Sequence, residues 1–107
     1  MQRKASIIRL RPEAETAYRK YHRSVWEEVL STITECNIRN YSIFLRDGIL
    51  FSYFEYIGDD FAADMAKMAI DPITQKWWAI MNPMQSPLEN RAEGEWWAPM
   101  QEVFHLD

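Results

Sequence analysis

From Lys4 to Arg11 charged or small residues alternate with aliphatic ones, a period-two pattern that predicts a first strand, stopped by Pro12. Pro12 suits the first turn of a helix, with Glu13 and Glu15 at its positive end. Apolar positions then recur at helical spacing, since Ala14, Tyr18, Tyr21, Val25, Val29 and Ile33 share one stripe. They predict one continuous helix to about Cys36. Ile38 to Arg46 reads as a second strand and Ile49 to Ile57 as its hairpin partner. Between them stands Asp47-Gly48, where glycine accepts positive φ and aspartate tolerates it. Asp59 to Ala69 predicts a second helix. Asp71-Pro72, an N-cap followed by a first helical position, opens a third through Met81. Pro83 to Trp97 is expected to be a long loop and Met100 to Leu106 a last strand. In that strand Val103 and His105 would face one way, and Met100, Glu102, Phe104 and Leu106 the other.

Strand, helix, strand, strand, helices, strand is the split βαβ order. It predicts one α+β domain over 1–107, a four-stranded antiparallel sheet with helices on one face. The strands carry large apolar residues on both faces. Tyr41, Ile43 and Leu45 oppose Phe44, while Phe51 and Tyr53 oppose Leu50, Phe54 and Tyr56. Helices cover only one face, so the pattern predicts a homodimer through the open sheet face.

Composition narrows the class. At 48% hydrophobic residues and three glycines the chain is folded rather than a polar tail. Its net charge is −4 and its twelve Lys and Arg residues are scattered, which argues against a nucleic-acid partner. No apolar run is long enough to span a membrane, and the first residues lack the apolar core of a signal peptide. The single cysteine, Cys36, reads as a small hydrophobe in a reducing compartment, so a cytoplasmic setting is expected. Asn40-Tyr41-Ser42 matches a glycosylation acceptor, but in a strand without a secretion signal the match is read as chance.

Several site types have no support. The glycines are isolated, so no phosphate-binding loop exists, and the two histidines and one cysteine lack zinc-like spacing. What remains is aromatic. Tyr18, His22 and Trp26 follow one another at four-residue steps, neighbours on one helix face. Histidine is the side chain best suited to proton transfer near neutral pH. Tryptophan occurs as the pairs Trp77-Trp78 and Trp96-Trp97. Adjacent helical residues diverge by about 100°, so one of Trp77 and Trp78 can pack while the other lines a cleft. An indole face beside hydroxyl and imidazole groups suits a sugar. Packing is the commoner explanation for His22 as a structural histidine and for the tryptophans as core or interface, and it matches ligand contact for Tyr18 and Tyr41, while His105 is expected to pack beside Val103. Glu102, on an apolar strand face, suggests a buried ion pair with an arginine.

Five stretches taken together change this balance. They are RKA near the start, Tyr18-x-x-x-His22-x-x-x-Trp26-x-Glu28, Asn40-Tyr41-x-Ile43-x-Leu45, Lys76-Trp77-Trp78-x-x-Met81, and Gln101-Glu102-Val103-Phe104-x-Leu106. In this order and spacing the chain resembles the L-rhamnose mutarotase family from end to end. The resemblance implies a dimeric, ferredoxin-like α+β fold and an isomerase that exchanges the α and β anomers of a deoxy-sugar pyranose. It implies no metal or organic cofactor and a small-molecule sugar as partner. It makes His22 the proton donor, and Tyr18, Tyr41, Trp77 and Trp78 the substrate-contacting residues. Trp26 would then support the imidazole.

Two segments depart from the rhamnose-type pattern. The run HRSVWEE lacks the prolines of HxPIWPE, and Ser86 to Pro99 differs from the family's Asn-Pro-Asp-Asn-Ser loop. Long loops often set specificity, which keeps L-fucose as the nearest competing substrate. Two further alternatives share the fold, a cofactor-independent monooxygenase and a non-catalytic ligand-binding module.

Overall fold

The computed structural model describes residues 1–107. Gln2–Leu10 forms β1, and a single 3₁₀ turn at Pro12–Ala14 leads into the helical segment. The expected continuous helix is two, α1 (Glu15–His22) and α2 (Glu27–Glu35). The apolar stripe runs across the break, with Tyr18 and Val29 buried and Tyr21, Val25 and Ile33 packed around them. The backbone does not. The amides of Arg23 and Ser24 bond back to Arg19 and Tyr21, and Trp26 turns extended at φ −59, ψ 135. Its carbonyl accepts from Val29 and Leu30 to start α2, with Glu27 and Glu28 at the new positive end. That acidic pair is a restart signal, masked in the sequence by an unbroken hydrophobic period.

Asn37 leaves α2 in the left-handed region, φ 66, a common helix exit for asparagine. The hairpin follows as β2 (Ile38–Arg46) and β3 (Ile49–Tyr56). Asp47 and Gly48 both take positive φ, 49° and 74°, which matches the right-handed twist of the flanking strands. Helices α3 (Phe61–Ala69) and α4 (Pro72–Met81) begin at aspartate caps. Asp60 accepts from the Ala63 amide at 3.1 Å and Asp71 from the Thr74 amide at 2.9 Å.

All strand pairs are antiparallel, in the order β2-β3-β1-β4. The fourth position is shared by two short segments. Gln85–Ser86, β4, pairs with Arg9 and Leu10, while Ala98–Met100, β5, pairs with Ala5 to Ile7. The expected strand from Met100 to Leu106 is therefore corrected. Pairing ends at Met100, residues 101–107 have no regular structure, and Val103, Phe104 and Leu106 are exposed. Alternation shows which way side chains would face but supplies no partner for the backbone. Side chains tether this tail instead, Arg3 Nε donating to Glu102 Oε1 at 2.6 Å. That ion pair lies at the surface, not buried as expected, and His105 meets Asp107 at 2.7 Å rather than packing beside Val103.

Ile8, Leu10 and Leu50 of the sheet meet Tyr18, Val29, Trp77 and Met81 of the helices in the main core. Cys36 is fully buried beside Ile38 and Met68, and burial pushes its thiol up. One irregularity matters for the site. The register of β2 against β3 slips by one residue between Arg39 and Ser42, at the positive-φ Asn40. The extra residue lets Ile38 and Tyr41 both face the helices, as bulges do when they re-aim a side chain.

Candidate active site

Between the helices and the sheet lies a cavity of about 380 Å³. Tyr18 and His22 of α1 form one wall, Tyr41 of β2 and Trp78 of α4 others, and Gln85, Trp96 and Trp97 close the far side. Ser6 and Ser52, on paired positions of β1 and β3, share a 2.6 Å hydrogen bond and also face the space. A second groove, of about 730 Å³ along β2, shares the Tyr18, His22 and Tyr41 wall.

His22 is the last residue of α1, and its ring stacks on Tyr18 with centroids 4.1 Å apart. Its Nδ1 lies 2.8 Å from the Tyr18 carbonyl oxygen. A carbonyl can only accept, so Nδ1 carries a hydrogen and Nε2 is the nitrogen left for other work. Burial pushes the Tyr18 phenol up, opposed by its hydrogen bond with Gln85. Tyr41 keeps 42% of its surface open, yet its hydroxyl is desolvated and sits near that of Tyr18, which pushes it up to about 12. Both phenols are neutral hydrogen-bonding groups across the physiological range and poor bases.

The Trp77-Trp78 pair divides as adjacent helical positions must. Trp78 lines the cavity, 37% exposed, whereas Trp77 is buried and does not line it. Trp77 stands edge-on to three rings, Tyr21 at 5.9 Å, His22 at 5.6 Å and Trp26 at 5.1 Å. The imidazole is thus backed by Trp77. Trp26, displaced by the helix break, meets Trp77 and so leaves the column expected with Tyr18 and His22.

An L-rhamnose mutarotase family model matches residues 3–106. The chain belongs to the L-rhamnose mutarotase family. It is similar to the L-rhamnose mutarotases of Opitutus terrae, 36% identical with both chains fully covered, and of Sinorhizobium fredii, 35% identical over 99% of each. A protein of Dictyostelium discoideum named UPF0734 is 36% identical over 84% of this chain and 76% of its own length. Among solved structures, the L-rhamnose mutarotase of Formosa agariphila superposes with TM-score 0.78 at 24% identity, each chain fully covered. Tetracenomycin F2 cyclase of Streptomyces glaucescens superposes with TM-score 0.70 at 15% identity, over 100% and 98% of the two chains. Both share the fold. The protein is an isomerase of the mutarotase type.

Within this mutarotase fold the cavity gathers His22, Tyr18, Tyr41 and Trp78, four of the five residues singled out from the sequence, and leaves Trp77 behind the imidazole. It adds Ser6, Ser52, Gln85, Trp96 and Trp97. The second tryptophan pair was visible as a motif. Gln85 had no signal, because its place depends on a two-residue strand paired to the end of β1.

Proposed function

We propose that this protein exchanges the α and β anomers of L-rhamnose by acid–base opening and closing of the pyranose, with His22 as the proton-transfer group. The observation that carries the reading is the imidazole itself. It is stacked on Tyr18, held at Nδ1, and borders an indole-walled cavity with Nε2 uncommitted. In opening, protonated Nε2 gives its proton to the ring oxygen, the bond from C1 to that oxygen breaks, and the anomeric hydroxyl releases its proton to water as C1 becomes a carbonyl. Rotation about C1–C2 presents the other carbonyl face. In closure Nε2 takes the proton back as the former ring oxygen attacks C1, and the carbonyl oxygen regains a proton from water. The cycle returns every proton and needs no cofactor. A positioned acid–base group contributes roughly 10²–10⁴-fold, an adequate scale for a reaction that already proceeds in water.

Tyr18 and Tyr41 hold sugar hydroxyls as neutral phenols, and the Trp78 indole covers an apolar C–H face of the ring. Trp77 keeps the imidazole in place from behind. The names of the relatives support L-rhamnose over L-fucose. A homodimer through the open sheet face accords with the exposed Phe44 and with the apolar tail. The single, buried, unpaired Cys36 accords with a cytoplasmic setting.

The test is saturation-difference NMR between the anomer signals of L-rhamnose and L-fucose. Faster exchange for L-rhamnose is expected, lowered by about 10²–10⁴-fold in His22→Ala. Unchanged exchange in that folded variant removes His22 from the mechanism, and no exchange with any 6-deoxyhexose removes the function.

A further inference from the structure

Three side chains in the cavity fix the direction of one proton. Gln85 is 3% exposed, and its carboxamide has a donor end and an acceptor end. The Trp96 indole nitrogen can only donate, and it lies 2.8 Å from Gln85 Oε1. That contact settles which way the amide is turned. Its Nε2 therefore faces the Tyr18 hydroxyl at 3.2 Å, and an amide nitrogen only donates. The Tyr18 oxygen accepts, so its own proton is not spent on Gln85. It is available to the cavity that Tyr18 lines beside His22.

We infer that Gln85 and Trp96 are positioning residues that present the Tyr18 O–H, as donor, to the anomeric oxygen while His22 serves the ring oxygen. This rests on the anomer-exchange reading above. Negative charge gathers on the anomeric oxygen as its proton leaves, and again when the ring oxygen adds to the carbonyl. A fixed donor there acts where charge develops rather than on the resting sugar. The two rings stack with centroids 4.1 Å apart and line the same cavity, so both can face one bound sugar. Were the amide turned round, Tyr18 would give its proton to the protein and offer the sugar only lone pairs. Trp96 prevents this, and it belongs to the loop between β4 and β5 that departs most from the rhamnose-type sequence.

Gln85→Glu is a nearly isosteric reversal. Its carboxylate accepts from Trp96 and also from Tyr18, drawing that proton inward. Loss of one such donor costs roughly a hundredfold to a thousandfold in kcat, with KM changed less. Two signatures separate this from damage to the fold. In a Tyr18→Phe background the second substitution has no further effect on kcat, because its target is gone. At acid pH the introduced carboxyl protonates and can donate to Tyr18 as the amide did, so the deficit relative to wild type closes. The other titratable groups lining this cavity, Tyr18, His22 and Tyr41, are the same in wild type and variant and cancel in the comparison, while Arg91 lies over the Trp96 ring. Trp96→Phe, which introduces no charge, gives a smaller kcat loss that Tyr18→Phe also absorbs, and it carries the same cycle if Gln85→Glu does not fold. Wild-type protein that fails to exchange L-rhamnose anomers overturns the function itself. Normal wild-type exchange with multiplying Gln85 and Tyr18 effects, or a deficit constant across pH, overturns the positioning role alone.

Discussion

The imidazole of His22 is held through Nδ1 by the carbonyl oxygen of Tyr18, one helical turn earlier and 2.8 Å away. One residue thus supplies a stacking face, an anchoring carbonyl and a phenol beside the free nitrogen. His22→Gln places an amide at this position that can bond but cannot shuttle a proton. Anomer exchange is expected to fall by about 10²–10⁴-fold, as for His22→Ala, while binding measured by ligand NMR falls less. A glutamine variant with near-normal exchange would show that hydrogen bonding alone suffices.

Trp77 and Trp78 are neighbours in sequence with different surroundings, one buried and one on the cavity wall. Trp77→Ala removes a buried indole packed against Tyr21, His22 and Trp26, and by analogy with other large core deletions costs about 3–5 kcal/mol. Trp78→Ala, at a partly exposed position on the cavity wall, is expected to leave the urea midpoint close to wild type and to raise KM. Matching stability losses in the two variants would contradict this division.

Away from the site, the fully buried Tyr56 donates its hydroxyl to Asp64, which also accepts from Asn37 Nδ2 at 3.0 Å. Tyr56 first, then Asn37, holds the Asp64 carboxyl below its ordinary value of 3.8. A carboxyl lowered in the folded state stabilises above the unfolded value, and that contribution is lost as pH falls through the folded one. Tyr56→Phe should therefore lower Tm most near neutral pH, with the gap to wild type narrowing below pH 3.8. A gap independent of pH would mean that the hydroxyl stabilises by some route other than the charge on Asp64.

Gly58 lies against the same cluster. A methyl group there would collide with the Tyr56 hydroxyl and the Asn37 amide. Both are fixed by their bonds to Asp64 and cannot simply swing aside. Gly58→Ala is expected to destabilise even without a positive-φ requirement, by roughly 1–3 kcal/mol in chemical denaturation. An unchanged midpoint would show that the cluster yields.

The proposed homodimer predicts that charge on the uncovered face blocks association. Phe44, 60% exposed on β2, pairs across the sheet with Phe51 of β3. Phe44→Glu should shift sedimentation velocity from a dimer to a monomer. A wild-type protein that sediments as a monomer at high concentration would remove the dimer.

By itself the sequence determined the order of elements as far as Met81 apart from one helix break, the hairpin at Asp47-Gly48, the N-cap at Asp71 with Pro72 after it, and the apolar stripe from Ala14 to Ile33. These depend on local rules, namely side-chain period, left-handed turn residues and helix-end hydrogen bonds, which the chain carries wherever it lies. Tertiary structure decided the rest. The unbroken stripe hid the turn at Arg23–Trp26, because periodicity records which side chains are buried and not whether the backbone stays helical between them. The alternation after Met100 implied a strand, but a ladder requires a partner that the single chain does not place there. The roles of Trp77 and Trp78, the turning of Tyr41 by the β2 bulge, and the meeting of Gln85 with Tyr18, 67 positions apart, depend on distances between elements. Those distances are set by packing, which no local pattern encodes.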